Sequence, residues 1–192
     1  MEEKIILGVD PGTLVMGYAV IVQKGKHTNL LACDVFRLKH IEDHSLRLKT
    51  IFDNLTNIIK EYRPSEMAIE APFFGKNVQS MLKLGRAQGV AIAAAMNSSV
   101  KIFEYSPKKI KQSITGNGNA SKEQVAEMLQ KLLKIEEMPR YFDATDALGA
   151  AFCHSIQFMP VAGAPAGNKK KKSSKKGDAW AAFVAKNPER KA

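Results

Sequence analysis

Two short apolar runs in this chain each end on a carboxylate. Residues 4–9 lead into Asp10, which a Pro-Gly pair follows, and residues 67–69 lead into Glu70. Such runs are typical of buried strands, so each predicted strand delivers an acid to the rim of a sheet. If the two strands are parallel neighbours, both carboxylates lie at the carboxyl edge, where open α/β sheets bind ligands. Taken singly, Asp10 is also typical of a turn in which glycine supplies a positive φ, and Glu70 of a polar strand end.

The order of the remaining patterns predicts an α/β domain with a mixed five-stranded sheet. Short connections containing glycine join the first three strands, which favours an antiparallel meander. The two later strands each follow a helix, and such crossovers give parallel neighbours. The predicted strands cover residues 4–9, 17–22, 30–36, 67–70 and 100–105, and the predicted helices cover 45–62, 78–96, 121–133 and 143–158, with a short helix opening at Pro107.

Two of these helices carry further signals. Residues 121–124 have the spacing of a capping box, with Ser121 at the start and Gln124 three positions later. Residues 78–96 are rich in glycine and alanine. Small residues let another helix or a sheet approach closely, so we expect helix 78–96 to be buried on more than one side.

Length and charge divide the chain into a folded domain and a tail. An apolar fraction of 45% over 192 residues is enough for one substantial core, which we place in residues 1–160. The net charge is +10, but +7 of it belongs to residues 161–192, a basic tail that we predict to be disordered. A basic tail of this kind is typical of a segment that binds an anionic partner, and equally of a solvated chain end. Its apolar island around Trp180 is either a docking motif or without function.

The sequence carries no sign of export or of membrane insertion. No stretch approaches the roughly 20 apolar residues that span a bilayer. The acidic N-terminus lacks the basic-then-apolar layout of a signal peptide. We therefore expect a cytoplasmic protein. Cys33 and Cys153 are not spaced as ligands, and we expect two packed, unreactive thiols.

A second pair of acids lies near the start of the last predicted helix. Asp143 and Asp146 are three residues apart and share one helix face, although helix capping alone would also explain acids there. Four carboxylates that converge repel one another unless divalent cations are present, and hard oxygen ligands suit Mg²⁺ or Mn²⁺. Two such ions about 4 Å apart activate water and stabilise the leaving oxygen in phosphodiester cleavage. With its partners, Asp10 becomes the anchor of a two-metal site, and the Pro-Gly turn leaves room for a phosphate.

The residues between the acids indicate a nucleic acid as the partner. Phe73 and Phe74 follow Glu70 in a predicted loop, where exposed rings stack on bases or wedge between them, unless they anchor the loop in the core. Basic residues in these segments suit phosphate contacts, while a solvated face explains any single one. They are Lys76, Lys83, Arg86, Lys108, Lys109, Lys111 and Lys122.

Taken in order, these motifs resemble the RuvC family of bacterial Holliday-junction resolvases. The resemblance covers about residues 4–158, and six motifs in family order are far more specific than any single acid. The matching stretches are 6–12 with Gly17 and Tyr18, 68–70 with Phe73, Lys76 and Asn77, 82–91, 110–112, 116–118 with Ala120 and Lys122, and 143–148.

The resemblance implies an RNase H-like fold and a homodimer that binds a four-way junction and cuts two opposing strands symmetrically, in recombination and DNA repair. It makes the four acids the catalytic metal ligands, with two Mg²⁺ per site and Mn²⁺ as a substitute. It places Lys111 and Lys122 near the scissile phosphates, Phe73 against bases, and helix 78–96 at the dimer interface. It also implies a RuvA–RuvB branch-migration complex as partner. Phe74 and Gly75 depart from the family pattern, which leaves open which phenylalanine contacts bases.

Two other classes of protein compete with a nuclease. A catalytically silent nucleic-acid-binding module of the same fold would be free to lose the acids, and all four are present. ATPases of the actin, Hsp70 and sugar-kinase type also begin with a strand that ends in Asp-x-Gly-Thr. They need a second phosphate loop, and no second Asp-x-Gly turn follows in this sequence.

Overall fold

The computed structural model describes residues 3–71 and 77–157. Five strands form one sheet in the order β3-β2-β1-β4-β5. The strands are β1 (Glu3–Asp10), β2 (Val15–Lys24), β3 (His27–Arg37), β4 (Glu66–Glu70) and β5 (Lys101–Tyr105). The helices are α1 (His44–Tyr62), α2 (Val78–Asn97), α3 (Pro107–Thr115), α4 (Lys122–Leu133) and α5 (Phe142–Gln157).

The pairing of the strands confirms the predicted mixed sheet. β1 pairs antiparallel with β2, and β2 antiparallel with β3. β4 is parallel to β1 on one side and to β5 on the other. β1 and β4, the two strands that end in an acid, are therefore parallel neighbours in the middle of the sheet.

Two layers of helices cover the two faces of the sheet. On one face, α1 and α2 pack on the side chains that include Leu7, Val9 and Met67. On the other face, α3, α4 and α5 pack on the side chains that include Ile6 and Ala68. The alternation of side chains along a strand assigns Asp10 and Glu70 to the face that α5 covers.

Local sequence signals set the helix ends. The predicted capping box at the start of α4 is confirmed, because the Ser121 and Gln124 side chains each accept a hydrogen bond from the other residue's backbone N–H. The Asp43 side chain caps α1 by accepting from the Leu46 N–H at 2.8 Å. α1 ends at Arg63, which adopts a positive φ of 51° before a proline.

α2 differs from expectation, because within this chain it buries a single face. Ala87, Ala91 and Ala94 on that face are fully buried against the sheet side. A Cβ built at Gly85 or Gly89 meets no atom within 4 Å. The prediction that α2 is buried on more than one side is therefore wrong for the single chain. The face of α2 that carries Gly85 and Gly89 is open.

A buried polar network ties α5 to β4 and β5. The His154 ring is fully buried, with Nε2 lying 2.6 Å from Glu66 Oε2 and Nδ1 lying 2.6 Å from the Tyr105 hydroxyl. Lys4 Nζ lies 3.0 Å from the same Glu66 oxygen. Burial lowers the pKa of His154 despite Glu66, so the imidazole is neutral, donating from Nε2 and accepting at Nδ1.

The remaining predictions on thiols and membranes have plain outcomes. Cys33 and Cys153 are both free, and burial raises the pKa of the Cys33 thiol to about 12, as expected for a packed, unreactive side chain. Among the helices of the described residues, none has the length and apolarity to span a bilayer. Phe73, Phe74, Lys76 and the tail at 161–192 lie outside the described residues, so the predictions made for them stay predictions.

Candidate active site

The carboxyl edge of β1 and β4 holds the first two acids. Val9 pairs with Ile69 in the parallel ladder, and Asp10 and Glu70 are the next residue on each strand. Parallel neighbours carry their side chains in the same direction at the same level. The sheet therefore delivers both carboxylates side by side, as the sequence predicts.

α5 brings Asp143 and Asp146 to this edge by resting on bare backbone. Gly17 on β2 pairs with Asp10, and a Cβ built on Gly17 lies 1.9 Å from the Asp143 carbonyl oxygen. A Cβ built on Gly8 lies 2.0 Å from the carbonyl oxygen of Ala147. Only glycine permits so close an approach at these two positions. Helix α5, which carries Asp143 and Asp146, therefore packs directly against β2 and against β1, the strand that ends at Asp10.

Close packing also explains the glycine at position 12, in the turn after Asp10. A Cβ built there lies 1.7 Å from the Val15 carbonyl oxygen. Its φ is not positive, unlike those of Gly25 and Gly116. The turn interpretation in which this glycine supplies a positive φ is therefore wrong, and the residue is required because the chain folds back on itself at once.

Burial and neighbouring acids raise the pKa values of Asp10 and Glu70. Burial, and then the charge of Glu70, raise the pKa of Asp10 from 3.8 to about 8, with smaller contributions from Asp146 and Asp143. Burial, and then the charge of Asp146, raise the pKa of Glu70 to about 7. Asp10 therefore senses the three other acids and Glu70 senses Asp146, which is the repulsion expected of converging acids without a cation between them.

Lys122 places a positive charge among these acids. Its Nζ donates a hydrogen bond to Asp146 Oδ2 at 2.5 Å. Burial opposes the charged form, but that bond and the nearby carboxylates raise the pKa of Lys122 overall. Lys111 Nζ donates to the Ala120 carbonyl at 2.7 Å, and its charge lowers the pKa of Glu70. Glu70, Asp146 and both lysines line one cleft of about 160 Å³.

The chemistry of this donor set fits a divalent metal ion, although the side chains are not arranged around one. Carboxylate oxygens are the ligands that Mg²⁺ and Mn²⁺ prefer. Within residues 3–71 and 77–157, no three His, Cys, Asp or Glu side chains form a group that could hold an ion. Because Asp146 Oδ2 is paired with Lys122, an ion that binds this oxygen competes with that ammonium group.

The other predicted basic residues fall elsewhere. Lys83 and Arg86 lie exposed on α2, and Lys108 and Lys109 lie exposed on α3, outside the residues that line the cleft. The Lys108 side chain packs over Gly118, where a built Cβ would lie 2.7 Å from Lys108 Cγ. The structure therefore brings two of the predicted lysines to the acids and leaves these four on the surface.

Gly8 and Gly17 are the residues of the site that sequence reasoning missed. The signal was present, because each lies two positions along its strand from a buried residue that faces α5, Ile6 for Gly8 and Ala19 for Gly17. A glycine within a strand marks a close approach of another backbone, and here that backbone is α5.

The sheet order and the helices on both faces are those of an RNase H-like fold. The family model "Crossover junction endodeoxyribonuclease RuvC" matches residues 6–154. The chain belongs to this family.

Relatives and solved structures agree with the assignment. A crossover junction endodeoxyribonuclease RuvC from Cytophaga hutchinsonii is 57% identical over 98% of this chain and 88% of its own length. One from Porphyromonas gingivalis is 53% identical over 98% and 97%. The structure of T. thermophilus RuvC in complex with Holliday junction substrate matches with a TM-score of 0.76 and 31% identity, covering 80% of this chain and 94% of that one. The yeast mitochondrial resolvase Ydc2, at 15% identity and a TM-score of 0.59, shares the fold.

Proposed function

We propose that this crossover junction endodeoxyribonuclease resolves Holliday junctions by Mg²⁺-dependent, symmetric cleavage of two opposing strands in homologous recombination and DNA repair. The observation that carries the proposal is the convergence of carboxylates from β1, β4 and α5. Burial, and then these neighbouring acids, raise the pKa of Asp10 to about 8. Nucleases of this family depend on divalent metal ions in general.

Four acids of the chain would hold the metal: Asp10, Glu70, Asp143 and Asp146. Two bound Mg²⁺ ions, or Mn²⁺ in their place, supply an activated water and stabilise the leaving oxygen of the phosphodiester. The acids are held by rigid elements, since Asp10 and Glu70 end neighbouring strands and the backbone of α5 rests on two glycines. Such support keeps reacting groups in place at little entropic cost.

Lys111 and Lys122 would bind the phosphate beside the acids. The Lys111 ammonium is fixed by the Ala120 carbonyl 2.7 Å away, and its charge acts on Glu70 across the cleft. Lys122 is paired with Asp146 and is half-exposed, so a phosphate entering the cleft can reach it. Two fixed positive charges beside four carboxylates offset the repulsion that a phosphodiester meets there.

The open face of α2 supports a homodimer. Exposed apolar and small residues follow one another along this face at helical spacing: Val78, Leu82, Gly85, Gly89, Ala93 and Met96. Small residues let a second helix approach closely. Two copies joined here would carry two active sites, which symmetric cleavage of two strands requires.

Further contacts with DNA and with a protein partner complete the proposal. Phe73 and Phe74 would engage bases near the crossover, with Lys76, Lys83, Arg86, Lys108 and Lys109 on phosphates. The tail at 161–192 would add a contact with DNA that does not depend on sequence. A RuvA–RuvB branch-migration complex would deliver the junction, in the cytoplasm, where chromosomal DNA is accessible.

The test is a nuclease assay on a synthetic four-way junction, a linear duplex and a single strand, each with and without Mg²⁺. We expect cleavage of the junction alone, and only with the metal. Asp10→Asn should abolish cleavage and leave junction binding intact. Asp53→Asn, which changes an exposed carboxylate paired with Lys49 on α1, is the matched control and should cleave normally.

Two results would contradict the proposal. Full cleavage by Asp10→Asn would show that the acids of the sheet edge do not hold the catalytic metal. Junction binding by the wild-type chain with no nicks under Mg²⁺ or Mn²⁺ would favour the catalytically silent module instead.

A further inference from the structure

An exposed aromatic ring lies next to the acid cluster without a part in the mechanism above. Eight large apolar side chains are exposed in the described residues, and Phe142 is the one aromatic among them, with 45% of its surface open. It begins α5 and directly precedes Asp143. A single exposed apolar side chain is ordinary on a protein surface, so it is the position of this ring beside the acids that raises the question of a function.

The ring lies within one nucleotide's reach of the acids. The Lys122 ammonium lies 5.9 Å from the centre of the Phe142 ring and 2.5 Å from Asp146 Oδ2. The ring centre is therefore at most 8.4 Å from that carboxylate oxygen. A strand whose phosphate lies at the acids must place a flanking base in this neighbourhood.

The residue before Phe142 is held in a different way. The Arg37 guanidinium at the end of β3 lies 5.0 Å from the centre of the Tyr141 ring, within the range of a cation–π contact. The Tyr141 carbonyl also accepts from the Thr145 N–H at the start of α5. Tyr141 thus anchors the start of α5 to the end of β3, while the Phe142 side chain next to it stays exposed.

From this placement we infer that Phe142 is a nucleotide-binding residue, on which a base flanking the scissile phosphate stacks. Stacking suits this position, because a base presents an uncharged face that nearby carboxylates do not repel. It also tolerates any base, since all bases have a π-face. The inference rests on the proposed function, because it takes the phosphate at the acids to be the one that is cut.

The experiment places 2-aminopurine on either side of the cleaved phosphate of a four-way junction. Binding by the full-length chain is followed by fluorescence in an Asp10→Asn background, which keeps the DNA intact. We expect quenching at one of the two positions. Phe142→Ala and Phe142→Leu should lose the quenching and weaken binding about 5- to 150-fold, the range for loss of one stacked base. Phe142→Trp should retain both.

Leu46→Ala is the matched control, because it removes another exposed apolar side chain, 55% open, on α1. Its quenching and affinity should equal those of the parent chain. Quenching that survives in Phe142→Leu, or that Phe142→Trp loses, would overturn the inference and reduce Phe142 to a packing partner of Lys122. Failure of the wild-type chain to cut any junction would overturn the proposed function instead, and the fluorescence assay does not depend on cutting.

Discussion

Gly17→Ala tests whether the position of α5 on the sheet sets the geometry of the site. The added Cβ would lie 1.9 Å from the Asp143 carbonyl oxygen, and real Cβ contacts are essentially never shorter than 3.0 Å. The start of α5 or strand β2 must therefore give way by at least 1.1 Å. Asp143 moves with that backbone, away from Asp10, which pairs with Gly17 across the ladder.

The two consequences differ in size and are measured separately. Overpacking of this kind costs about 1–3 kcal/mol of unfolding free energy. A displacement of about 1 Å costs about 100-fold in rate, or about 2.7 kcal/mol of activation free energy. We expect a folded variant with a lower melting temperature that binds junctions normally. In single-turnover assays with saturating protein and Mg²⁺, it should cleave about 100-fold more slowly.

Gly149→Ala is the control on the same helix. Its Cβ meets only side-chain atoms, with Ile110 Cγ2 at 3.2 Å and Ile114 Cδ1 at 3.3 Å, and these can shift by a few tenths of an ångström. Its cleavage rate should stay within about threefold of the parent, a change of less than 1 kcal/mol. If Gly17→Ala also cleaves within threefold of the parent rate and keeps its melting temperature, then the packing of α5 on Gly17 does not set the position of Asp143.

Three further outcomes are expected. Because the pKa of the Asp10 carboxyl is raised to about 8, the folded chain holds the carboxyl proton more tightly than the unfolded chain does, and the stability of the metal-free protein falls as pH rises from about 4 towards 8. Asp10→Asn should therefore raise the melting temperature in a chelator more at pH 8.5 than at pH 5. Equal shifts at the two pH values would contradict this. Glu66→Ala removes the acceptor of His154 Nε2 and should cost about 1–3 kcal/mol in urea unfolding, whereas a loss below about 0.5 kcal/mol would show that the network adds little. Deleting residues 161–192 should flatten the salt dependence of DNA binding, and an unchanged slope would make the tail a bystander.

The sheet and the positions of the acids were predictable because they depend on local patterns. Strand periodicity and the crossover rule fix β1 and β4 as parallel neighbours, and this alone places Asp10 beside Glu70. The start of α4 was readable for a similar reason, since the capping box is a contact between residues three positions apart.

The rest depends on contacts between distant residues, which no local pattern encodes. The Lys122–Asp146 pair joins the starts of two helices, 24 positions apart. The His154–Glu66 bond spans 88 positions. The open face of α2 looked buried in the sequence, because small residues suit contact with the same chain or with another one equally well.

The Lys122–Asp146 pair has a consequence for the order of events in the life of the enzyme. A chain with four bare carboxylates at one edge would rely on metal to fold, as small zinc domains do. Here an ammonium group of the chain itself stands among the acids, so folding and metal loading are separable steps. In the proposed function, an ion held by Asp146 Oδ2 would leave Lys122 free to pair with a DNA phosphate. The same exchange would then prepare the cation site and the anion site together.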